Sequence, residues 1–199
     1  PWTLSSNVVV GVNVNLEYVR LKAHDGFIYY FAKEKPEFKR LEKQFKDKKQ
    51  WVEGVPKLKT IAQLFKERGG YEECGTLKGA DMVGWEYDGP FDDFEAQLEP
   101  GGFPIINENL KEKGVTSKIQ HKVVDPGKDN IGNDIVVAGE GTGIVHMAPG
   151  CGDIDHKIGK KLGLVNIAPL NDESKFIEKF GWLSGKVATE KSTTRTEER

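Results

Sequence analysis

The sequence predicts a mainly β domain with inserted helices, built as a closed or nearly closed barrel. Three observations carry this. Short runs rich in β-branched and aromatic residues recur along the 199 residues, separated by Gly, Pro, Asn and Asp. Only a few stretches repeat apolar residues at helical spacing. There is no internal repeat and no Gly-rich phosphate loop; Gly141-Thr142-Gly143 is too short for one.

In chain order, 7–14 (NVVVGVNV) reads as a strand, followed by strands over 16–22 and 27–32 with a His24-Asp25-Gly26 turn between them. Phe38, Leu41 and Phe45 recur at helical spacing over 36–49, which reads as a solvated, basic helix, with a contact to a phosphate backbone as the alternative. A second helix over 59–68 ends at Gly69-Gly70. Strands and turns are expected over 71–77, 82–87 and around Phe91, a loop over 99–104, and a helical turn over 107–113 closed by Gly114. Strands over 118–124 and 134–138 flank a Pro-Gly-Lys-Asp-Asn loop.

The segment 141–155 (GTGIVHMAPGCGDID) holds most of the chemistry. Ile144 and Val145 suit a buried strand carrying His146, and Pro149-Gly150 stops it. Asp153 fits as the N-cap of a helix, placing Asp155 in the first turn where the dipole favours its charge. That helix closes at Gly163, a strand follows over 165–170, and the chain turns polar from Val187.

Charge is nearly balanced at −2, so no global attraction to nucleic acid or membrane is expected. The two cysteines, Cys74 and Cys151, fit neither a metal spacing nor a disulfide framework, which suits a reducing, cytoplasmic setting. No run approaches transmembrane length. The start at Pro1 reads as a cut from a longer chain.

Each candidate residue has a plain alternative. A lone His in an apolar strand reads first as a packed core residue, and an Asp at a helix start as a cap. Cys151 with His146 and Asp155 could form a thiol hydrolase, although nothing local activates the thiol. His146, Asp153, Asp155 and His156 match no standard metal spacing. His24 and His121 read as surface residues. Trp2 reads as a packing anchor or as the edge of a functional segment.

The two ends of the chain together resemble one family. Pro1-Trp2-Thr3-Leu4-Ser5-Ser6-Asn7, the stretch 141–149 and Asp155 look like the editing domain of isoleucyl-tRNA synthetase, with 77–87 (LKGADMVGWEY) similar to its middle region. The resemblance covers residues 1–186; 187–199 would be a polar tail leading back towards the catalytic domain. The sister valyl and leucyl enzymes share the Gly-Thr-Gly-like segment and the aspartate but carry Arg-Pro where this chain has Pro1-Trp2. The resemblance implies the β-barrel-like editing fold of the Val/Ile/Leu-tRNA synthetases. It also implies hydrolysis of valine misattached to tRNA(Ile), with valyl-adenylate as a further substrate. One missing methylene is worth only about 1–3 kcal/mol in a pocket, the isoleucine–valine pair being the standard illustration, so a second sieve is needed.

By position, Asp155 matches the aspartate that holds the substrate's ammonium, and His146 the histidine that lines the valine pocket. Trp2 and Thr3 match the edge of a threonine-rich segment that places the attacking water and the terminal adenosine. Asn7, Gly143, Ile144, Val145 and Met147 complete the substrate-binding set. The resemblance implies no metal and no cofactor for editing; ATP serves the synthetic domain. The implied partners are the valine-carrying 3′ end of tRNA(Ile) and the rest of the synthetase, in a monomer without membrane contact. The threonines that precede Pro1 in the family lie outside this chain, and Ser5 stands where the family often has proline. A tRNA-end or aminoacyl binding module without turnover is the alternative.

Overall fold

The computed structural model describes residues 2–33, 61–138 and 141–188. The helix expected over 36–49 lies outside these residues, as do Pro1 and the tail beyond Ala188. The chain forms two compact units, each assembled from separated segments. The first gathers residues 2–11, 84–124 and 146–188, and the second 12–33, 61–83, 125–138 and 141–145.

In the second unit, β2 (Glu17–Ala23) pairs antiparallel with β3 (Ile28–Ala32) on one side and β4 (Tyr71–Lys78) on the other. The hairpin forms where the Asp-Gly signal places it, and Asp25 Oδ1 accepts from Phe27 N at 2.9 Å to close the turn. Helix α1 (Ile61–Glu67) sets Phe65 edge-on against Tyr29, Phe31 and Tyr71. The core is Val12, Tyr18, Val19, Leu21, Ala23, Ala32, Met82 and Val136. Buried Tyr18 donates its hydroxyl to Gly143 O at 2.7 Å, and Ala32 N donates to Thr142 O at 2.8 Å. Gly143 has φ +70, and a Cβ there would stand 2.2 Å from the Ala32 methyl. Gly143→Ala is therefore expected to cost about 2–4 kcal/mol through overpacking and left-handed strain. An unchanged urea midpoint would show that this close approach is not required.

The first unit holds two small sheets. In one, β1 (Val9–Gly11) lies between β6 (Val123–Val124), with which it is parallel, and β7 (Val145–Met147), whose Val145 comes from the second unit's span. In the other, β5 (Gly102–Phe103) runs parallel to β8 (Asn166–Ile167). Helix α5 (Asp153–Leu162) follows β7 and ends at Gly163, whose φ of 67° lets its N–H bond Gly159 O and Lys160 O. Phe94, Phe103, Phe176 and Phe180 form an aromatic cluster in this unit's core.

Several expectations are corrected. Among the described residues the strands form three separate sheets and no barrel closes. The 118–124 strand is reduced to β6, because Lys118–Gln120 winds into a 3-10 turn whose Ile119 N bonds Thr116 Oγ1. Over 134–138 only a Lys128–Asp134 bridge forms, since Asp129 Oδ1 takes Ile131 N and Asn133 N and curls the loop instead. Residues 79–82 form a short helix, α2 (Gly79–Met82), with Asp81 accepting from Lys78 N at 3.0 Å, so the strand expected over 82–87 leaves only a Glu86–Lys122 bridge. The loop expected over 99–104 contains β5, and a short α3 (Glu95–Leu98) precedes it. The helical turn α4 (Glu108–Glu112) forms as expected, capped by Asn107. The strands expected over 7–14 and 165–170 shrink to β1 and β8.

Candidate functional site

The N-terminal residues Trp2–Ser6 wind into a 3-10 turn. Ser5 Oγ donates back to Trp2 O at 2.9 Å, and the buried Gln97 side chain donates to Ser5 O at 2.7 Å. The hydroxyl serine supplies here suits the turn that this position demands. Trp2 is half-buried at the turn's start. Thr3 reaches across to β7, where its Oγ1 lies 2.9 Å from His146 Nε2. Residues 143 positions apart in the chain are thus hydrogen-bonded, joining the two end motifs within one unit.

His146 is half-buried, and its Nδ1 is buried without a hydrogen-bond partner among the described residues. Burial holds its pKa below the usual 6.5, with nearby Asp155 acting in the opposite direction. The imidazole is therefore neutral at physiological pH. The sign for stability follows: the unfolded chain takes up a proton at this ring before the folded one does. His146's contribution is full above 6.5 and is lost as pH falls through the lower folded value. Denaturant unfolding at about pH 7.5 and about pH 5.5 should show a larger acid-side loss for the parent than for His146→Gln. Equal losses would mean the ring is not held neutral by burial.

Asp155 sits in the first turn of α5, as expected, but the residue before the helix is Gly152, not Asp153, which is the first helical residue. Asp155 Oδ2 accepts from Ala148 N at 2.9 Å, fastening the helix start to the end of β7. No described residue bonds its Oδ1. The carboxylate is half-exposed and near His146, so its charge is oriented by the backbone and remains accessible to a cation.

Asn7 is 5% exposed and ties the two walls. Its backbone N bonds Leu4 O, its Nδ2 donates to Val9 O at 2.9 Å and to Met147 O at 3.4 Å, and its carbonyl takes the Ser117 hydroxyl at 2.9 Å. The Met147 side chain is buried, and its carbonyl also accepts from Val8 N at 3.0 Å. Val145, expected to be buried, is exposed at the start of β7, and Ile144 lies just before the strand. Gly143 and Ile144 belong to the second unit, where Gly143 meets Tyr18 and Ala32 and Ile144 N bonds Thr142 Oγ1.

Burial pushes the Cys151 thiol up to about 11, the Ser6 hydroxyl pulling the other way, which is the reverse of an activated nucleophile. Among the described residues no three His, Cys, Asp or Glu side chains gather as a metal site; His156 instead faces Pro149 O and the Asn166 amide. His121, expected at the surface, is 3% exposed. Its Nδ1 lies 2.9 Å from Val8 O and its Nε2 2.8 Å from Asp92 Oδ1, and it stacks on Tyr87. Gln97, Ser117 and His121, which carry no motif in the sequence, bond around Asn7 and the 3-10 turn, as does Tyr87, the last residue of the 77–87 stretch. His24 is exposed, as expected.

Thr3, His146, Asp155 and Asn7 are thus gathered within one unit, and by sequence the chain is similar to a segment of aminoacyl-tRNA ligases. The particular relatives are isoleucine–tRNA ligases. Those of Sulfolobus acidocaldarius and Methanoregula boonei are each 30% identical, over 188 and 189 residues, covering 94% of this chain and 13% of the ligase. That of Aquifex aeolicus is 30% identical over 178 residues, covering 89% of this chain and 14% of the ligase. The chain is thus a relative, over nearly all its extent, of a segment of isoleucine–tRNA ligases, and spans 13–14% of their length. No family model matches it. No helix among the described residues is long and apolar enough to cross a membrane.

Proposed function

We propose that residues 1–186 are the editing domain of an isoleucine–tRNA ligase and hydrolyse valine from mischarged tRNA(Ile). The observation that carries this reading is the 2.9 Å contact between Thr3 and His146, with Asp155 fastened beside it. An aminoacyl ester has three features to recognise: an α-ammonium, a side chain and an activated carbonyl. Asp155 supplies a charge for the ammonium through Oδ1, while Oδ2 stays on Ala148 N. His146, neutral and fixed by Thr3, forms a wall of the side-chain pocket. A hydroxyl, Thr3 Oγ1, is available to orient water. The ester is reactive enough that positioning and electrostatics suffice, without a covalent intermediate.

In this reading the partners are the valine-carrying end of tRNA(Ile) and the remainder of a monomeric, cytoplasmic synthetase. The test is deacylation of radiolabelled Val-tRNA(Ile) and Ile-tRNA(Ile) by the chain and by the full ligase. Release of valine but not isoleucine supports the reading. Tight binding of a non-hydrolysable valyl-adenosine analogue without turnover in either protein would make the chain a binding module instead.

A further inference from the structure

Tyr87 belongs to the same unit as the site, and its hydroxyl bonds neither His146 nor Asp155. Its hydroxyl donates to Asn7 Oδ1 at 2.5 Å. Its ring stacks on His121 with centroids 4.8 Å apart and planes 12° apart, and His121 is in turn held by Val8 O and Asp92. Asp92 is itself tied to Gly89 N at 2.8 Å. We infer that Tyr87 is a positioning residue of the Thr3–His146 site, acting through the Asn7 amide on the strand that carries His146. Its consequence for valine–isoleucine discrimination rests on the editing reading above.

The argument is one of amide orientation. An Asn side chain has an oxygen and a nitrogen of nearly the same shape, so its neighbours decide which way it points. Here Nδ2 faces two carbonyls, Val9 O and Met147 O, and Oδ1 faces a hydroxyl. A flipped amide would set its oxygen against those carbonyls. The Tyr87 hydroxyl is the donor in this bond, because the amide oxygen it meets can only accept. Without it, Oδ1 would be a buried acceptor with no partner, and the amide would lose what holds it in place. Met147 O is one residue from His146, and Asn7 N closes the turn that carries Thr3. A change at Tyr87 therefore reaches both walls of the pocket through one residue.

Tyr87→Phe removes only the hydroxyl and keeps the stack on His121. Tyr29→Phe, which removes an exposed hydroxyl bonded to Asp25 in the other unit, is the control. Two readouts separate this inference from the function it builds on. The first needs no activity: in 15N- and 13C-labelled chain, the Asn7 side-chain amide and His146 ring signals should shift in Tyr87→Phe and stay in place in Tyr29→Phe. Unmoved Asn7 and His146 signals in Tyr87→Phe overturn the inference, whether or not the chain edits. The second is the ratio of valine to isoleucine release, which a smaller folded fraction cannot change. It should fall at least threefold in Tyr87→Phe; an unchanged ratio in an active protein also overturns the inference. An inactive parent chain counts against the editing reading, and the first readout then decides the role of Tyr87.

Discussion

Asp155→Asn should lower the rate of valine release from Val-tRNA(Ile) by about 30- to 150-fold, while the melting temperature stays near that of the parent. The amide oxygen of Asn can still accept from Ala148 N, so the helix start keeps its tether. What disappears is the negative charge that the proposed function sets opposite the substrate's ammonium. Losing one partner of a hydrogen-bonded charge pair typically costs about 2–5 kcal/mol, and the lower end applies to a half-exposed carboxylate. Asp155→Ala should be as inactive and less stable as well, because it also strands Ala148 N, whose residue is fully buried. Comparing the two substitutions in single-turnover deacylation and thermal unfolding separates the charge from the tether. Valine release by Asp155→Asn at the parental rate would remove Asp155 from the site.

The second large effect is on discrimination. His146→Ala should let correctly charged Ile-tRNA(Ile) be deacylated, reducing the valine-over-isoleucine preference by about tenfold or more. An editing pocket would have to tell the two substrates apart by one methylene, a difference of about 1–3 kcal/mol. That limit is reached only if the wall does not give way. The imidazole is held at Nε2 by Thr3 and is half-buried and neutral, so it resists displacement better than a solvated side chain would. The rate on Val-tRNA(Ile) should change less than the ratio, since the ring acts as a wall and not as the base. If His146→Ala deacylates Val-tRNA(Ile) far more slowly and leaves the ratio intact, the ring's role is in the chemistry instead.

Under the proposed editing function the two substitutions report on different duties: Asp155 on how fast an accepted substrate reacts, and His146 on which substrate is accepted. The fold places the two residues on separate elements. Asp155 belongs to the first turn of α5 and His146 to β7, joined by the buried Ala148-Pro149 segment. Tyr87 bears on the second duty, through Asn7 and the carbonyl of Met147.

Much of this was legible in the residues. The β2–β3 hairpin, β4, α4, the His146 strand and the helix closing at Gly163 follow from interactions within a few residues: an Asp side chain closing its own turn, an Asn capping its own helix, a left-handed glycine collecting two carbonyls. The resemblance of both chain ends to an editing domain singled out Thr3, His146 and Asp155. Local patterns failed where side chains competed for the backbone, as Thr116 and Asp129 do in turning expected strands into curled loops. They also failed at His121, which sits in the polar run Gln120-His121-Lys122 and gives no sign of burial. Its place in the interior is set by Val8 and Asp92, residues distant in sequence whose acceptors make burial of an imidazole affordable. By itself, then, the sequence determined the local elements, the residue types of the site and the kinship with a ligase segment. Tertiary structure alone decided that the strands among the described residues form three small sheets, that Thr3 bonds His146, and that Asn7 is locked by Tyr87. Those outcomes depend on groups far apart in the chain satisfying one another's buried hydrogen bonds, and no local pattern encodes that pairing.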